Sequence, residues 1–133
     1  MKKLSILILG MMILGVSGCR KVTEQYFTTP NQTVFYDLNA SSWTTNNAGR
    51  TYSANLSFFL EDIYRNDFDG ILVYVSFGDN VYEPVPQTYD GIAYGYTVNN
   101  QRITLEIQNS DGSGTITPPG TMRAKVVFIP SQE

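Results

Sequence analysis

The chain of 133 residues contains no histidine and one cysteine, Cys19. Without histidine it cannot form the Ser-His-Asp or Cys-His arrangements that activate a nucleophile. Zinc sites built from histidine and cysteine ligands are excluded in the same way. The sequence shows no other catalytic motif, and we therefore predict a non-enzymatic protein that uses no metal and no cofactor.

Positive charge is also scarce. Nine lysine and arginine residues stand against 12 aspartate and glutamate residues, a formal net charge of -3, and the basic residues do not cluster. Binding to a phosphate backbone requires clustered positive charge. The composition therefore predicts that nucleic acid is not a partner.

The longest apolar run, residues 4–16, is shorter than the ~20 residues that a helix needs to cross a bilayer. It follows Lys2 and Lys3 and is followed by small residues. This order of a charged start, an apolar stretch and small residues is typical of a bacterial signal peptide.

The end of this signal, Val16-Ser17-Gly18-Cys19, resembles the lipobox of bacterial lipoproteins. The resemblance implies removal of residues 1–18 and lipidation of Cys19, and two or more acyl chains are enough for stable membrane anchoring. We predict a tether over 19–32 and a single domain over 33–133. Arg20 is not the acidic residue that retains lipoproteins at the inner membrane of enteric bacteria, and no acidic surface-export tag follows Cys19. We therefore expect an outer-membrane lipoprotein facing the periplasm.

The remainder of the chain alternates between runs rich in Val, Ile, Tyr, Phe and Thr and clusters of Gly, Asn, Asp and Pro. That spacing predicts an all-β protein, a single antiparallel β-sandwich of about seven strands and Ig-like in size. Trp43 is a candidate for a short seventh strand, and residues 59–67 have the spacing of one helical turn. The other predicted strands are 33–38, 50–58, 70–77, 92–98, 101–108 and 122–129.

Five of the nine tyrosines lie between residues 74 and 98. Tyr94 and Tyr96 share a strand face with Ile92 and Val98, which predicts that both rings point into the core. The alternative is that they form a flat aromatic platform on an open sheet face. We group Tyr74 with this core set.

The other two tyrosines of the stretch, Tyr82 and Tyr89, flank a segment with two prolines, which predicts a surface position. We name Tyr82, Tyr89 and Trp43 as possible ligand contacts.

The acidic residues suggest two further hypotheses, a calcium site and a hydrolase. Asp67-Phe68-Asp69-Gly70 looks like a fragment of a calcium loop, but the acidic ligands that should follow are missing, and turn chemistry accounts for the same residues. A hydrolase built on two carboxylates would need a pair ~5–10 Å apart. The candidates for such a pair are Asp67, Asp69, Asp79, Asp90 and Glu106.

Several segments resemble a group of uncharacterised lipoproteins of Bacteroidetes over roughly residues 50–130. The resemblance implies a small β domain behind a lipobox, and it implies no activity, cofactor or site residue. The segments that carry it are Val73-Tyr74-Val75, Tyr82-Glu83-Pro84-Val85-Pro86, Tyr94-Gly95-Tyr96, Ile103-Thr104-Leu105, Asn109-Ser110-Asp111-Gly112 and Lys125-Val126-Val127-Phe128-Ile129-Pro130.

Taken together, these features predict a lipid-anchored binding or structural module of the cell envelope. Its partners are the membrane, through Cys19, and a glycan or another envelope protein. Glycan binding through exposed aromatic residues is the first alternative, and hydrolysis by a carboxylate pair is the second.

Overall fold

The computed structural model describes residues 30–57, 69–99 and 102–131. The part described contains one 3-10 turn, Ala40–Ser42, and no helix that could cross a membrane. The strands are β1 (Gln32–Asn39), β2 (Thr51–Ser57), β3 (Gly70–Ser76), β4 (Glu83–Val85), β5 (Gln87–Tyr89), β6 (Ile92–Asn99), β7 (Arg102–Asn109) and β8 (Thr121–Ile129).

The eight strands form two antiparallel sheets of four strands each. The first sheet has the order β1-β8-β3-β4 and the second the order β2-β7-β6-β5. Buried side chains from both sheets form one hydrophobic cluster between them. The predicted all-β sandwich is therefore confirmed, with eight strands in the described part of the chain where the sequence predicts about seven.

The inner faces follow a two-residue alternation, which is clearest in β8. In β8, Met122, Ala124, Val126 and Phe128 are buried, while the residues between them are exposed or half-buried. Leu56, Ile103, Leu105 and Ile107 oppose them from the second sheet. Burying each large apolar side chain contributes about 1.5–3 kcal/mol, so this layer is the main source of stability.

Six strands match their predicted ranges to within one residue over the positions described. Trp43 does not lie in a strand, because among the described residues the pairing next to it is a single bridge between Thr44 and Ser53. The β6–β7 hairpin is paired up to Asn99 and Arg102, and the two residues between them lie outside the described part.

Strands β4 and β5 were not among the predicted strands. Each has three residues, and the chain passes from the first sheet to the second at the cis Val85–Pro86 bond. Val85 pairs with Val73 of the first sheet, and Gln87 pairs with Tyr94 of the second. Both are edge strands, where proline is tolerated because no ladder hydrogen bond is needed on the open side.

Strand β6 has the predicted orientation. Tyr94 is 5% exposed, and burial raises the pKa of its phenol. Tyr96 packs against the core, and its hydroxyl donates a hydrogen bond of 3.0 Å to the backbone carbonyl of Ile71 in the opposite sheet. The inward prediction for these two rings is confirmed, and the platform alternative is wrong.

The grouping of Tyr74 with the core is wrong. Its neighbours Val73 and Val75 are buried inside the sandwich, so Tyr74 lies on the outer face of β3, half-buried. The sequence left this strand ambiguous because both of its faces carry large apolar residues.

Candidate ligand-binding surface

The outer face of the first sheet is unusually rich in large apolar side chains. Phe35 of β1 is 53% exposed and Leu72 of β3 is 44% exposed. Lys125 of β8 lies between Phe35 and Tyr74, because it pairs with both in the strand registers. Exposed apolar patches of this kind commonly mark interaction sites.

Tyr82, which lies just before β4, completes this group of side chains. Its ring lies 6.1 Å from that of Phe35, centroid to centroid, with the planes tilted by 59°. The Lys125 Nζ lies 4.3 Å from the Tyr74 ring centroid and 4.5 Å from the Tyr82 centroid, within the range of cation–π attraction. We call Phe35, Leu72, Tyr74, Tyr82 and Lys125 the aromatic face.

A polar cleft of about 290 Å³ adjoins the aromatic face at one end of the first sheet. Asp37, Asp79, Asn80 and Arg123 line it, together with Tyr82, which therefore belongs to both features. Asp79 and Asn80 are both left-handed, with φ of 55° each, a conformation that Asp and Asn adopt more readily than most residues.

Asp37 and Arg123 form a bidentate ion pair within this cleft. Arg123 Nε donates to Asp37 Oδ1 at 2.6 Å and Nη2 donates to Oδ2 at 3.1 Å. Hydrogen bonding to Arg123 lowers the pKa of Asp37, and the same bond, with a smaller contribution from Tyr82, raises the pKa of Arg123. Asp37 is therefore ionised at neutral pH.

The structure does not place Tyr89 on the aromatic face. Tyr89 is 49% exposed on β5, where its ring stacks on Phe77 at 4.8 Å and 15°. Phe77 in turn meets the buried Tyr94 edge to face at 5.3 Å. The surface prediction is confirmed for Tyr89, while Tyr82 is half-buried.

Trp43 is buried, with 6% of its surface exposed. No residue in the described part accepts a hydrogen bond from its indole Nε1. Its selection as an exposed ligand contact is wrong, because a lone tryptophan in a polar segment gives no sign of which side the segment turns inward.

The carboxylates proposed for hydrolysis are dispersed. Asp69 Oδ1 accepts hydrogen bonds from the backbone N and the hydroxyl of Ser131, 62 positions further along the chain, and so joins these two segments. Asp69 and Asp79 flank opposite ends of β3, and Glu106 lies on the exposed side of β7 in the other sheet. Asp90 follows β5 in a turn with positive φ.

Two predictions concern residues outside the described part. These are the lipidation of Cys19, with the signal and tether that surround it, and the helical turn over 59–67. Asp67 lies outside it as well.

Four residues of this surface were not predicted as site residues from the sequence: Phe35, Lys125, Asp37 and Arg123. One signal was present in β1, where Phe35 occupies the polar phase of an alternating strand between Thr33 and Asp37. The grouping itself depends on cross-strand register and could not be read from any one segment.

No known protein family, curated protein or solved structure matches this chain. Its function must therefore be argued from the geometry of this surface.

Proposed function

We propose that this chain is a lipid-anchored, non-catalytic binding module of the bacterial cell envelope, and that the aromatic face binds a saccharide. The observation that supports the proposal is the position of Tyr82, whose ring joins the exposed aromatic group to the polar cleft. A binding site of this type combines an apolar wall with a few well-placed polar groups.

Saccharides suit such a pair of surfaces because a pyranose ring has an apolar C–H face and a polar rim of hydroxyls. The rings of Phe35 and Tyr82 provide a wall for the C–H face. The side chains of Asp37, Asn80 and Arg123 line the adjoining cleft and offer donors and acceptors for the hydroxyls.

The position of the cleft fits an anchored protein. The predicted tether leads into β1 at Gln32, and Asp37 lies five residues further along this strand. At ~3.3 Å per residue, the cleft is roughly 17 Å from the start of the strand. An anchor at Cys19 would thus leave the cleft at the far end of the first sheet.

The environments of the carboxylates favour binding over catalysis. Glycoside hydrolysis needs a general acid with a raised pKa. The pKa of Asp37 is instead lowered by Arg123, and Asp69 accepts two hydrogen bonds from Ser131. Asp37 therefore lacks the character of a general acid, and Asp69 is held in a structural contact.

Affinity electrophoresis of the full chain in non-ionic detergent, against a panel of neutral and acidic polysaccharides, tests this proposal. We expect at least one polymer to retard the protein, and Tyr82→Ala to weaken that binding by roughly tenfold or more.

Tyr89→Ala is the matched control, because it removes the same side chain from a surface outside the aromatic face. It should leave retardation unchanged. Absence of retardation across the panel, or equal loss in both variants, would contradict saccharide binding on the aromatic face.

A further inference from the structure

Lys125 is the charged group of the aromatic face. Its ammonium group lies against the rings of Tyr74 and Tyr82, and no carboxylate in the part of the chain described forms an ion pair with it. The other cation nearby, Arg123, is already neutralised by Asp37. Lys125 therefore retains a positive charge that is open to an anionic group of a ligand.

The surroundings of Lys125 strengthen such an interaction. Its side chain is half-buried between aromatic rings, and a lower local dielectric makes attraction to an incoming anion stronger than in bulk water. A phosphate group is usually held by several donors or by the fork of an arginine. One unpaired ammonium suits a singly charged carboxylate.

The adjoining cleft has the opposite preference. Asp37 and Asp79 both line it, while Arg123 supplies the one cation among the lining residues described. This balance leaves a net negative charge, which disfavours a second carboxylate. A sugar bound in the cleft should therefore be uncharged.

We infer that the aromatic face binds an acidic saccharide, in which the carboxylate of a uronic acid contacts Lys125 and a neighbouring neutral sugar occupies the polar cleft. The inference rests on the proposed saccharide binding and adds the charge and order of the sugars.

The test uses hyaluronan, in which glucuronate alternates with a neutral amino sugar, in affinity electrophoresis of the full chain in non-ionic detergent. The comparison polymers are carboxyl-reduced hyaluronan, which keeps the rings and lacks the charge, and polygalacturonate, in which every sugar is acidic. We expect hyaluronan to bind roughly tenfold more tightly than its reduced form, in line with a hydrogen bond to a charged group. Hyaluronan should also bind more tightly than polygalacturonate.

Lys125→Met removes the charge and keeps an apolar stem against the tyrosine rings. We expect it to reduce hyaluronan binding to the level of the reduced polymer. Arg102→Gln is the matched control, because it removes one exposed positive charge from the second sheet and should leave binding unchanged. If Lys125→Met does not fold, the same comparison of polymers on the unaltered protein, with rising salt, still decides the matter.

The outcomes separate the inference from the proposed function. Equal binding of hyaluronan and its reduced form, or equal binding by Lys125→Met and the unaltered protein, overturns the role of Lys125 while saccharide binding stands. Polygalacturonate binding as tightly as hyaluronan overturns the neutral sugar in the cleft. Retardation by none of the polymers in the wider panel overturns the proposed function itself.

Discussion

The two outer faces of the sandwich cover the same core but differ in composition. The first sheet presents Phe35, Leu72 and Tyr74 around Lys125. The second presents Asn55, Thr97, Thr104 and Glu106, and its β6 strand adds the small residues Ala93 and Gly95. Folding demands an apolar inner face from each sheet and makes no such demand on the outer faces. An aromatic outer face on one sheet only therefore points to a use beyond folding.

The largest expected effect separates the inner and outer sides of the first sheet. Phe128→Ala removes a fully buried ring, and we expect it to lower the free energy of unfolding by about 3–5 kcal/mol. Phe35→Ala is the matched control, and we expect it to cost under about 1 kcal/mol because Phe35 is 53% exposed. Urea unfolding measures both.

The effects of these two substitutions on polysaccharide binding should have the reverse order. Phe35→Ala should weaken polysaccharide binding while the protein remains folded. A loss of stability in Phe35→Ala comparable to that in Phe128→Ala would mean that the outer face is structural, and the contrast between the two faces would then fail.

A smaller effect on the free energy of unfolding is expected for the hydrogen bond between Tyr96 and Ile71, which links the two sheets. Tyr96→Phe removes the hydroxyl that donates to the carbonyl of Ile71, which should cost about 0.5–1.5 kcal/mol, or more if the carbonyl remains without a partner. Tyr89→Phe serves as the control on the surface. Equal midpoints for both variants in urea would indicate that the bond contributes nothing to the packing of the sheets.

The smallest effect concerns the ion pair in the cleft. Because the pKa of Asp37 is lowered in the folded protein, its contribution to stability is complete above the unfolded value of about 3.9 and is lost as the pH falls through the folded pKa. The Asp37 side chain is 75% exposed and the Arg123 side chain is 46% exposed, so the stability at pH 7 should change little in Asp37→Asn.

Carboxyl NMR titration provides the sharper measurement of this pair. Arg123→Gln should bring the pKa of Asp37 back up toward its ordinary range, because the guanidinium hydrogen bond is the main cause of the shift. Asp111 is the internal control, since its pKa is lowered by hydrogen bonds with Ser113 instead. An unchanged Asp37 pKa in Arg123→Gln would assign the shift to another group.

The strands were predicted well where apolar and polar residues alternate clearly. The prediction failed where prolines argue against a strand or where both faces of a strand are apolar. The start of β2 at Thr51 is within one residue of the predicted strand 50–58. Strands β4 and β5 were not predicted, because Pro84 and Pro86 argue against a strand unless it lies at the edge of a sheet. Whether a strand lies at an edge is decided by the tertiary structure. Tyr74 was misplaced because β3 is apolar on both sides.

The candidate site was only partly predictable. Tyr82 was selected for its place beside the prolines, and it is the residue that joins the aromatic face to the cleft. Trp43 was selected for its side chain alone and is buried. The residues next to Phe35 and Lys125 in the sequence do not indicate which aromatic rings these two side chains contact.

The amino-acid sequence by itself determined the class of fold, because apolar side chains that recur every second residue favour a half-buried strand. Only the tertiary structure decided where the candidate site lies. Register places Phe35 and Tyr74 on either side of Lys125 although they are 90 and 51 positions away along the chain. Contacts across a sheet depend on strand order and register, and these are settled by the packing of the whole core rather than by any local run of residues.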